Sequence, residues 1–303
     1  EGQNLNEYNQ TKQILVEMEN DEINGMIIRS KVKWYEEGEK STKYFLGLEK
    51  RNAIRKNMKK LELCDGTILR KQRDIIDRQM EYYKMLYTAK PSNEEDICEQ
   101  LFDNSKTLKD DDKMKCEGLL TLQECEQALK TFKKGKTPGN DGITAEFYQH
   151  FWTEIKHIFV ECLNYAFTHN ELTTSQRQAV ICLVHKKDKD RLKLGNWRPI
   201  SLLNVDYKIA TKAITKRLDN IIPKLVDINQ TGFIKGRYLG DAVRTLYDII
   251  DYCKLNNTNG ILMMVDFEKA FDSLDWDFMI KALDKMNFGP SLIRWIKLFY
   301  TNI

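Results

Sequence analysis

Apolar residues recur along the chain at two different intervals, and each interval predicts a type of element. A spacing of three or four residues, as in Phe147, Phe151 and Ile155, places side chains on one face of a helix. The same spacing predicts helices near residues 75–87, 209–221 and 242–253. Short apolar runs bounded by polar residues instead predict strands at residues 179–184, 197–202 and 261–265, and the first of these strands is expected to be buried. The first two strands are predicted to pair across a loop rich in Lys, Asp and Gly.

Turn-forming and helix-capping residues mark the ends of these elements. An Asp-Gly pair at residues 65–66, between two short apolar runs, predicts a β-hairpin. Thr121 and Glu124 have the spacing of a capping box at the start of a helix. Helices and strands interleave irregularly and without an internal repeat, so the predicted fold class is α+β.

Charge divides the chain into three predicted segments. Residues 29–60 hold 11 basic and 4 acidic side chains, whereas residues 90–117 hold 5 basic and 9 acidic ones. We predict a basic, helical N-terminal extension over residues 1–90, an acidic linker over 91–120 and a larger folded domain over 121–303. A basic face can meet phosphates, although a charged run is more often simply solvated surface.

Composition excludes several classes of protein. The 303 residues are 42% hydrophobic and carry a net charge of +3, which is typical of a globular protein. No apolar run approaches the ~20 residues that cross a bilayer, so no membrane partner is expected. Seven scattered cysteines without a Cys-x-x-Cys pair argue against a disulfide framework or a zinc site and favour a reducing compartment.

The sharpest chemical signal is an aspartate that directly follows the apolar run 261–265. A carboxylate at the end of a buried strand is costly unless a metal, a cation or several donors neutralise it. Asp266 is therefore a candidate metal ligand, although a role in capping the strand or the next turn explains its position equally well. Asp272 precedes the next helical pattern and is expected to be the N-cap of that helix.

Several blocks of sequence together resemble one enzyme family. Residues 265–272, Val-Asp-Phe-Glu-Lys-Ala-Phe-Asp, resemble the first catalytic motif of reverse transcriptases from LINE-type (non-LTR) retrotransposons. Residues 136–142 resemble the loop that opens the family's polymerase region, 197–204 its fingers motif, and 230–237 the segment between fingers and palm. Residues 38–45 resemble the region before the polymerase, either a basic platform for template RNA or a solvated linker. Four polymerase blocks in the family's order are far more specific than any one of them.

The resemblance implies a fold, an activity and a set of partners. The fold would be a partial right-hand polymerase, with fingers and the first part of the palm preceded by a mostly helical N-terminal extension. The activity would be RNA-directed DNA polymerisation by two-metal nucleotidyl transfer, with Mg²⁺ as the expected ion and Mn²⁺ as an alternative. The implied partners are an RNA template, a DNA primer, deoxynucleoside triphosphates and an endonuclease domain of the same polyprotein. The complete element would act inside the cell, as a cytoplasmic ribonucleoprotein and in the nucleus.

The same resemblance assigns roles to individual residues. Asp266 would bind a catalytic metal ion, with the backbone carbonyl of Phe267 as a further ligand. Phe271 matches the aromatic residue that blocks a ribose 2′ hydroxyl, or it is an ordinary core aromatic. Arg198 matches the fingers arginine that grips the incoming triphosphate. Lys186 matches the accompanying lysine in an alignment that can shift by one residue.

Three further residues are predicted to contact nucleic acid. Lys136 belongs to a basic loop that would touch template phosphates, with a plain exposed loop as the alternative. Gln230 and Arg237 are expected to contact the template or the palm strands, without a catalytic role.

The sequence lacks the aromatic-Ala-Asp-Asp motif that polymerases of this family carry downstream of the first aspartate. One carboxylate cannot hold two magnesium ions, so this polypeptide is expected to be inactive by itself. Two interpretations follow: a truncated piece of an intact polymerase gene, which we favour, or a non-catalytic remnant that binds RNA.

Overall fold

The computed structural model describes residues 11–13, 15, 17–18, 58–88, 101–102, 105–267 and 269–301. Most of the predicted N-terminal extension, including residues 38–45, lies outside the described residues. The chain divides into two compact units. Unit 1 contains Glu1–Tyr82 and Leu183–Ile200, and unit 2 contains Tyr83–Cys182 and Ser201–Ile303. This division differs from the boundaries at residues 90 and 120 that charge predicted, because residues 183–200 group with the N-terminal part of the chain.

Unit 1 contains the hairpin that the Asp-Gly pair predicts, which is confirmed. Strands β1 (Leu61–Glu62) and β2 (Ile68–Leu69) pair antiparallel, with Leu61 opposite Leu69. Gly66 has a φ of +84° at the turn, a conformation that glycine adopts without strain. Helix α1 (Gln72–Tyr87) follows the hairpin, as its apolar spacing predicted.

Both parts of unit 1 contain buried apolar side chains. These are Met58, Leu61 and Ile75 in the N-terminal part, and Leu194 and Trp197 in the other. The backbone N–H of Glu62 donates to the carbonyl of Leu192 at 2.9 Å, which ties β1 to the segment 186–196. This part of the N-terminal region is therefore folded onto the tip of the second hairpin.

The predicted pairing of the second hairpin is confirmed. Strands β3 (Ala179–His185) and β4 (Trp197–Leu203) form a two-stranded sheet, and a 3₁₀ turn (Leu194–Asn196) leads into β4. The prediction that the first of these strands is buried is wrong, because most residues of β3 are exposed. An apolar run predicts a strand, but burial requires a covering layer, and none covers β3 among the described residues.

Unit 2 is helical, and its described elements follow one another along the chain. They are α2 (Asp110–Met114), α3 (Leu122–Lys130), α4 (Ala145–His150), α5 (Trp152–His169), α6 (Thr174–Arg177), α7 (Val205–Leu218), α8 (Ile222–Leu225), α9 (Leu239–Leu255), α10 (Trp276–Lys285) and α11 (Pro290–Tyr300). The capping box of Thr121 and Glu124 at the start of α3 is confirmed. The helix predicted around residues 147–166 is interrupted at Phe151, which ends α4 and precedes α5. No helix in the described part of the chain is both long and apolar enough to cross a membrane.

The core of unit 2 forms where helices α3, α5, α7 and α11 meet. Leu163, Ile209, Leu292 and Trp295 are almost completely buried there. Part of the predicted acidic linker also belongs to this core, since Leu108, Cys116 and Leu120 are buried in it, so the linker prediction is wrong for residues 108–120. The few apolar residues of that stretch point into the core. The acidic residues make the stretch resemble a linker in composition, but composition does not report which side chains are buried.

The strand predicted at residues 261–265 is absent from the structure. These residues have no regular secondary structure, and the exposed fractions of Ile261, Met263 and Met264 are 99%, 79% and 80%. A strand requires a hydrogen-bonded neighbour, and no described strand pairs with this run. The pattern therefore correctly indicates an apolar segment, but the described residues supply no partner for it.

Candidate functional site

Asp266 lies at the end of the exposed apolar run, with its side chain open to solvent. The next residue, Phe267, whose backbone carbonyl is the other predicted ligand, is 77% exposed. No group of three or more histidine, cysteine, aspartate or glutamate side chains suited to a metal ion occurs among the described residues. The predicted ligand residues are therefore both exposed, and the described residues form no metal-binding group of three or more such side chains around them.

Phe271 contacts the block at residues 230–237, which the family resemblance also includes, rather than the core. Its side chain is 84% exposed, and its ring meets that of Phe233 edge to face, with 5.9 Å between centroids. Phe233 lies within residues 230–237 and has a φ of +62°. The prediction of Phe271 as an ordinary core aromatic is therefore wrong, and the block at 230–237 reaches the first catalytic motif. Sequence reasoning missed Phe233, although its position between two glycines was a signal.

The turn after Phe267 is fixed by local hydrogen bonds. The backbone N–H groups of Asp272 and Ser273 donate to the carbonyl of Lys269 at 2.8 and 3.0 Å. The hydroxyl of Tyr87 donates to the Asp272 carboxylate at 3.3 Å. Burial, together with the charge of Asp272, raises the pKa of Tyr87 to about 12, so the phenol remains a donor at neutral pH.

The predicted N-cap role of Asp272 is wrong. Helix α10 begins at Trp276, and the carboxylate of Asp275 accepts from the backbone N–H of Phe278 at 2.8 Å. Asp275 has the N-cap geometry because it directly precedes the helix, whereas Asp272 lies one turn earlier. Asp272 instead accepts the hydrogen bond from Tyr87, which anchors the turn at residues 269–273.

The second hairpin of unit 1 carries the predicted phosphate-binding cations. Arg198 lies in β4 with an exposed side chain. The ammonium group of Lys186 donates to the carbonyl of Gly195 at 3.2 Å. The backbone N–H of Lys186 donates to the carbonyl of Asn196 at 2.9 Å. Trp197 donates from Nε1 to the carbonyl of Arg191 at 3.0 Å, and the Arg191 guanidinium lies 5.2 Å from the Trp197 ring centroid. Lys186 and Trp197 thus hold the tip together, while Arg198 remains open to a ligand.

The side chain of Lys136 is exposed in the loop 136–142, and the buried residue Asn204 holds this loop in place. Asn204, only 1% exposed, donates from Nδ2 to the carbonyl of Ser175 at 2.9 Å and accepts from the N–H of Asp141 at 3.4 Å. Residues 136–142 and 197–204, two of the blocks that carry the family resemblance, therefore meet at Asn204. Sequence analysis did not identify Asn204 as the residue that joins them.

Gly139 is required for this contact, which gives a testable prediction. A Cβ atom at Gly139 would lie 2.0 Å from Oδ1 of Asn204 and 2.5 Å from its backbone nitrogen. We expect Gly139→Ala to lower the free energy of unfolding by about 2 to 3 kcal/mol, because backbone cannot move aside as a flexible side chain does. Urea unfolding followed by circular dichroism measures this change.

The matched control is Gly260→Ala. A Cβ atom at Gly260 would lie 3.9 Å from Sγ of Cys253, an ordinary contact, so we expect a change within about 0.5 kcal/mol. Equal stability of the two variants would contradict the assigned role of Gly139.

The side chains of Arg237 and Gln230 both donate hydrogen bonds to backbone carbonyls of the same chain. Arg237 donates to the carbonyls of Gln230 at 2.7 Å, of Pro223 and Val226 at 2.9 Å, and of Asp227. The side-chain amide of Gln230 donates to the carbonyl of Gly232 at 3.2 Å. Arg237 thus fixes the segment that follows α8, and its contact with nucleic acid, like that of Gln230, stays a prediction.

A second arginine, which sequence analysis missed, organises unit 2. Arg217 of α7 donates from Nε and Nη2 to the carboxylate of Glu124 at 2.5 and 2.9 Å. Its Nη1 and Nη2 atoms also donate to the four successive carbonyls of residues 116–119. Trp295 donates from Nε1 to one of them, that of Gly118, at 3.1 Å. A single side chain therefore ties α3, α7 and the end of the predicted linker into one core.

Comparison with known proteins gives the same family that the sequence blocks resemble. Residues 184–303 match the family described as reverse transcriptase (RNA-dependent DNA polymerase). This range includes Lys186, Arg198, Gln230, Asp266 and Phe271.

Three relatives belong to transposable elements. The chain is 34% identical over 296 residues to the Transposon TX1 uncharacterized 149 kDa protein of Xenopus laevis, an alignment that spans 98% of this chain and 22% of that protein. It is 28% identical to the Retrovirus-related Pol polyprotein from type-1 retrotransposable element R1 of Bradysia coprophila, over 55% of this chain and 16% of that protein. It is 25% identical to the Probable RNA-directed DNA polymerase from transposon BS of Drosophila melanogaster, over 56% of this chain and 19% of that protein. The chain thus spans between 16% and 22% of these relatives' lengths.

Proposed function

We propose that this chain, whose residues 184–303 carry a reverse transcriptase domain, is part of the RNA-directed DNA polymerase of a non-LTR retrotransposon. The complete protein would copy RNA into DNA on a DNA primer, using deoxynucleoside triphosphates, and would act within a polyprotein that also carries an endonuclease. The cytoplasm and nucleus are the compartments in which such a protein would work. The observation that carries this proposal is that Arg198 and Asp266, the predicted phosphate and metal ligands, both lie within the matched range.

The donor atoms near Asp266 suit a hard divalent cation in kind but not in number. Mg²⁺ prefers carboxylate and carbonyl oxygens together with water and substrate phosphates, and Asp266 and the carbonyl of Phe267 are such donors. When bound, paired Mg²⁺ or Mn²⁺ ions would activate the primer 3′ hydroxyl and stabilise the leaving pyrophosphate. A second carboxylate must join Asp266 for that purpose, and no group of three or more metal-binding side chains occurs among the described residues.

Two other residues would select and hold the nucleotide. Arg198 has an exposed guanidinium, which can donate two parallel hydrogen bonds to a phosphate. Phe271, supported at its edge by Phe233, presents an exposed ring that could exclude a ribose 2′ hydroxyl. Lys186 would act mainly by positioning the hairpin tip, since its ammonium group already bonds to Gly195.

Primer extension tests the proposal. We expect no incorporation of labelled deoxynucleotide by the 303 residues alone, because one carboxylate does not hold two metal ions. Incorporation on an RNA template is expected from a longer protein in which residues 1–303 are followed by a segment that supplies the aromatic-Ala-Asp-Asp motif.

The comparison of the 303-residue chain with the longer protein needs a folding control. This control is the circular dichroism spectrum and the melting curve of each protein. A longer protein that folds but incorporates nothing would contradict the proposed function. Incorporation by the 303 residues alone would contradict the assignment of an incomplete metal site.

A further inference from the structure

Two exposed phenylalanine rings from distant blocks of the sequence meet in unit 2. The rings of Phe233 and Phe271 have centroids 5.9 Å apart and an interplanar angle of 87°. In this edge-to-face arrangement, the positive edge of one ring meets the negative face of the other, which makes the pair favourable. Phe233 is 95% exposed and Phe271 is 84% exposed. The contact is therefore not a by-product of burial in a common core.

The backbone around Phe271 is fixed, but the backbone alone does not fix the ring. The backbone N–H groups of Asp272 and Ser273 and the hydroxyl of Ser273 all donate to the carbonyl of Lys269. These bonds hold the Cα atom of Phe271 in place and leave the rotation about χ1 free. Exposed side chains change rotamer within nanoseconds, so an unsupported ring would move aside instead of excluding a hydroxyl group. A ring with that task must be held by a neighbour.

Phe233 is carried by a loop that its own hydrogen bonds hold in shape. The guanidinium of Arg237 donates to four backbone carbonyls between residues 223 and 230. The backbone N–H of Arg237 donates to the carbonyl of Ile234 at 3.2 Å, and the side-chain amide of Gln230 donates to the carbonyl of Gly232 at 3.2 Å. The residues on both sides of Phe233 are thus held, and its ring projects from a fixed backbone.

The backbone conformation of Phe233 is unfavourable for its residue type. Its φ of +62° lies in the left-handed region, which glycine adopts readily and a bulky side chain does not. The ring also gains little from the hydrophobic effect, because it is almost fully exposed. Glycine would serve the fold of this loop at least as well as phenylalanine. A strained residue of this kind indicates a functional requirement for its side chain.

We propose that Phe233 is a positioning residue that holds the ring of Phe271 where it excludes the 2′ hydroxyl of an incoming ribonucleotide. Phe271 would touch the sugar, whereas Phe233 would act only through Phe271. The role of Phe271 belongs to the proposed function, on which this inference rests. Discrimination between deoxyribonucleoside and ribonucleoside triphosphates then depends on two residues from different blocks of the sequence.

The first measurement uses the 303-residue chain and needs no polymerase activity. Phe271 is replaced by para-fluorophenylalanine, and the fluorine NMR signal is recorded with and without Phe233→Leu. The signal is expected to shift in the variant, because leucine has no ring current to act on the label. Phe147→Leu is the matched control. Phe147 is also an exposed residue of unit 2 and pairs with Phe151 at 5.0 Å between centroids, so its loss should leave the signal unchanged.

The second measurement uses the longer protein of the primer-extension test. Incorporation of one nucleotide gives kcat/KM for a deoxynucleotide and for the matching ribonucleotide, and the ratio of the two values is the discrimination. Phe233→Leu should lower this ratio about 3- to 10-fold, which corresponds to the loss of one aromatic pair. Phe233→Tyr keeps the ring and should keep the ratio within about twofold, as should Phe147→Leu.

A double-mutant cycle tests whether Phe233 acts through Phe271. Phe271→Ala should lower the ratio further than Phe233→Leu does. Addition of Phe233→Leu to Phe271→Ala should then have no further effect, because the ring that Phe233 holds is already absent. Effects of the two substitutions that multiply would show that Phe233 acts independently, which contradicts a positioning role.

The outcomes separate this inference from the proposed function. An unchanged fluorine signal in Phe233→Leu would overturn the inference, whatever the longer protein does. A purely structural role of Phe233 would lower both kcat/KM values together, and an unchanged ratio in an active Phe233→Leu variant would therefore overturn the inference while the proposed function stands. If the longer protein folds but incorporates neither nucleotide, the proposed function fails and the inference fails with it.

Discussion

Replacing Asp266 with asparagine in the longer protein of the primer-extension test is expected to lower its rate of nucleotide incorporation by about 10³-fold or more. A carboxylate ligand supplies several kcal/mol of stabilisation to a metal-assisted transition state, and ~4 kcal/mol corresponds to about 10³ in rate. Asparagine keeps the shape of the side chain but removes its charge. Single-turnover extension on an RNA template measures the chemical step directly.

Two variants separate the metal role from other effects of the substitution. Asp277→Asn removes an exposed carboxylate in the first turn of α10 and should change the rate less than about twofold. Asp266→Glu keeps the charge but shifts it by one methylene, so it should remain strongly impaired because metal ligation depends on geometry. More than a tenth of the activity in Asp266→Asn would contradict ligation by Asp266.

Arg217→Met is expected to lower the free energy of unfolding of the chain by about 3 kcal/mol. Methionine keeps much of the apolar stem, so the loss comes from the hydrogen bonds to Glu124 and to the carbonyls of residues 116–119. Although burial raises the pKa of Glu124, the bonds from Arg217 and Thr121 lower it below its usual range. The substitution would leave that carboxylate charged and without its cation, which is the costly way to break such a pair.

Urea unfolding of Arg217→Met and of a surface control measures the difference. Arg244 pairs with Asp248 at 3.7 Å on α9, where both side chains are mostly exposed, so Arg244→Met should change stability by less than about 0.5 kcal/mol. In a double-mutant cycle, Arg217→Met and Glu124→Gln should be non-additive, because the two residues share one pair. A loss in Arg217→Met no larger than in the control would refute the role of Arg217.

Local structure could be predicted where neighbouring residues decide it. The Asp-Gly turn, the Thr121 capping box and the pairing of β3 with β4 follow from chemistry within a few residues, and all three are confirmed. Helix boundaries were less well predicted. Phe151 interrupts the helix whose apolar spacing seemed continuous, since periodicity reports a shared face and not an unbroken backbone.

Predictions failed where a distant residue decides the outcome. Residues 108–120 were predicted to be a linker because acidic side chains dominate their composition. Arg217, about a hundred positions later in the sequence, nevertheless donates hydrogen bonds to the backbone carbonyls of residues 116–119. No pattern within 108–120 specifies that partner. The run 261–265 failed for the complementary reason, because an apolar run specifies a strand only if another strand pairs with it.

The candidate site was predictable in its residue types and only partly in its contacts. The resemblance to reverse transcriptases identified Asp266, Arg198 and Phe271 as candidate site residues, and the family match covers all three. The edge-to-face contact of Phe233 with Phe271 and the junction at Asn204 could not be predicted, because each joins blocks far apart in sequence. The assigned roles of the site residues remain predictions.

The exposed run that ends at Asp266 has a consequence for the behaviour of the protein in solution. Residues 261–267 contain no proline and a single charge, that of Asp266, and short uncharged apolar segments with high strand propensity are prone to aggregate. On this principle, the charge of Asp266 would oppose self-association of the run in addition to serving as a candidate metal ligand. The Asn variant loses both properties at once, while Glu retains the protective charge.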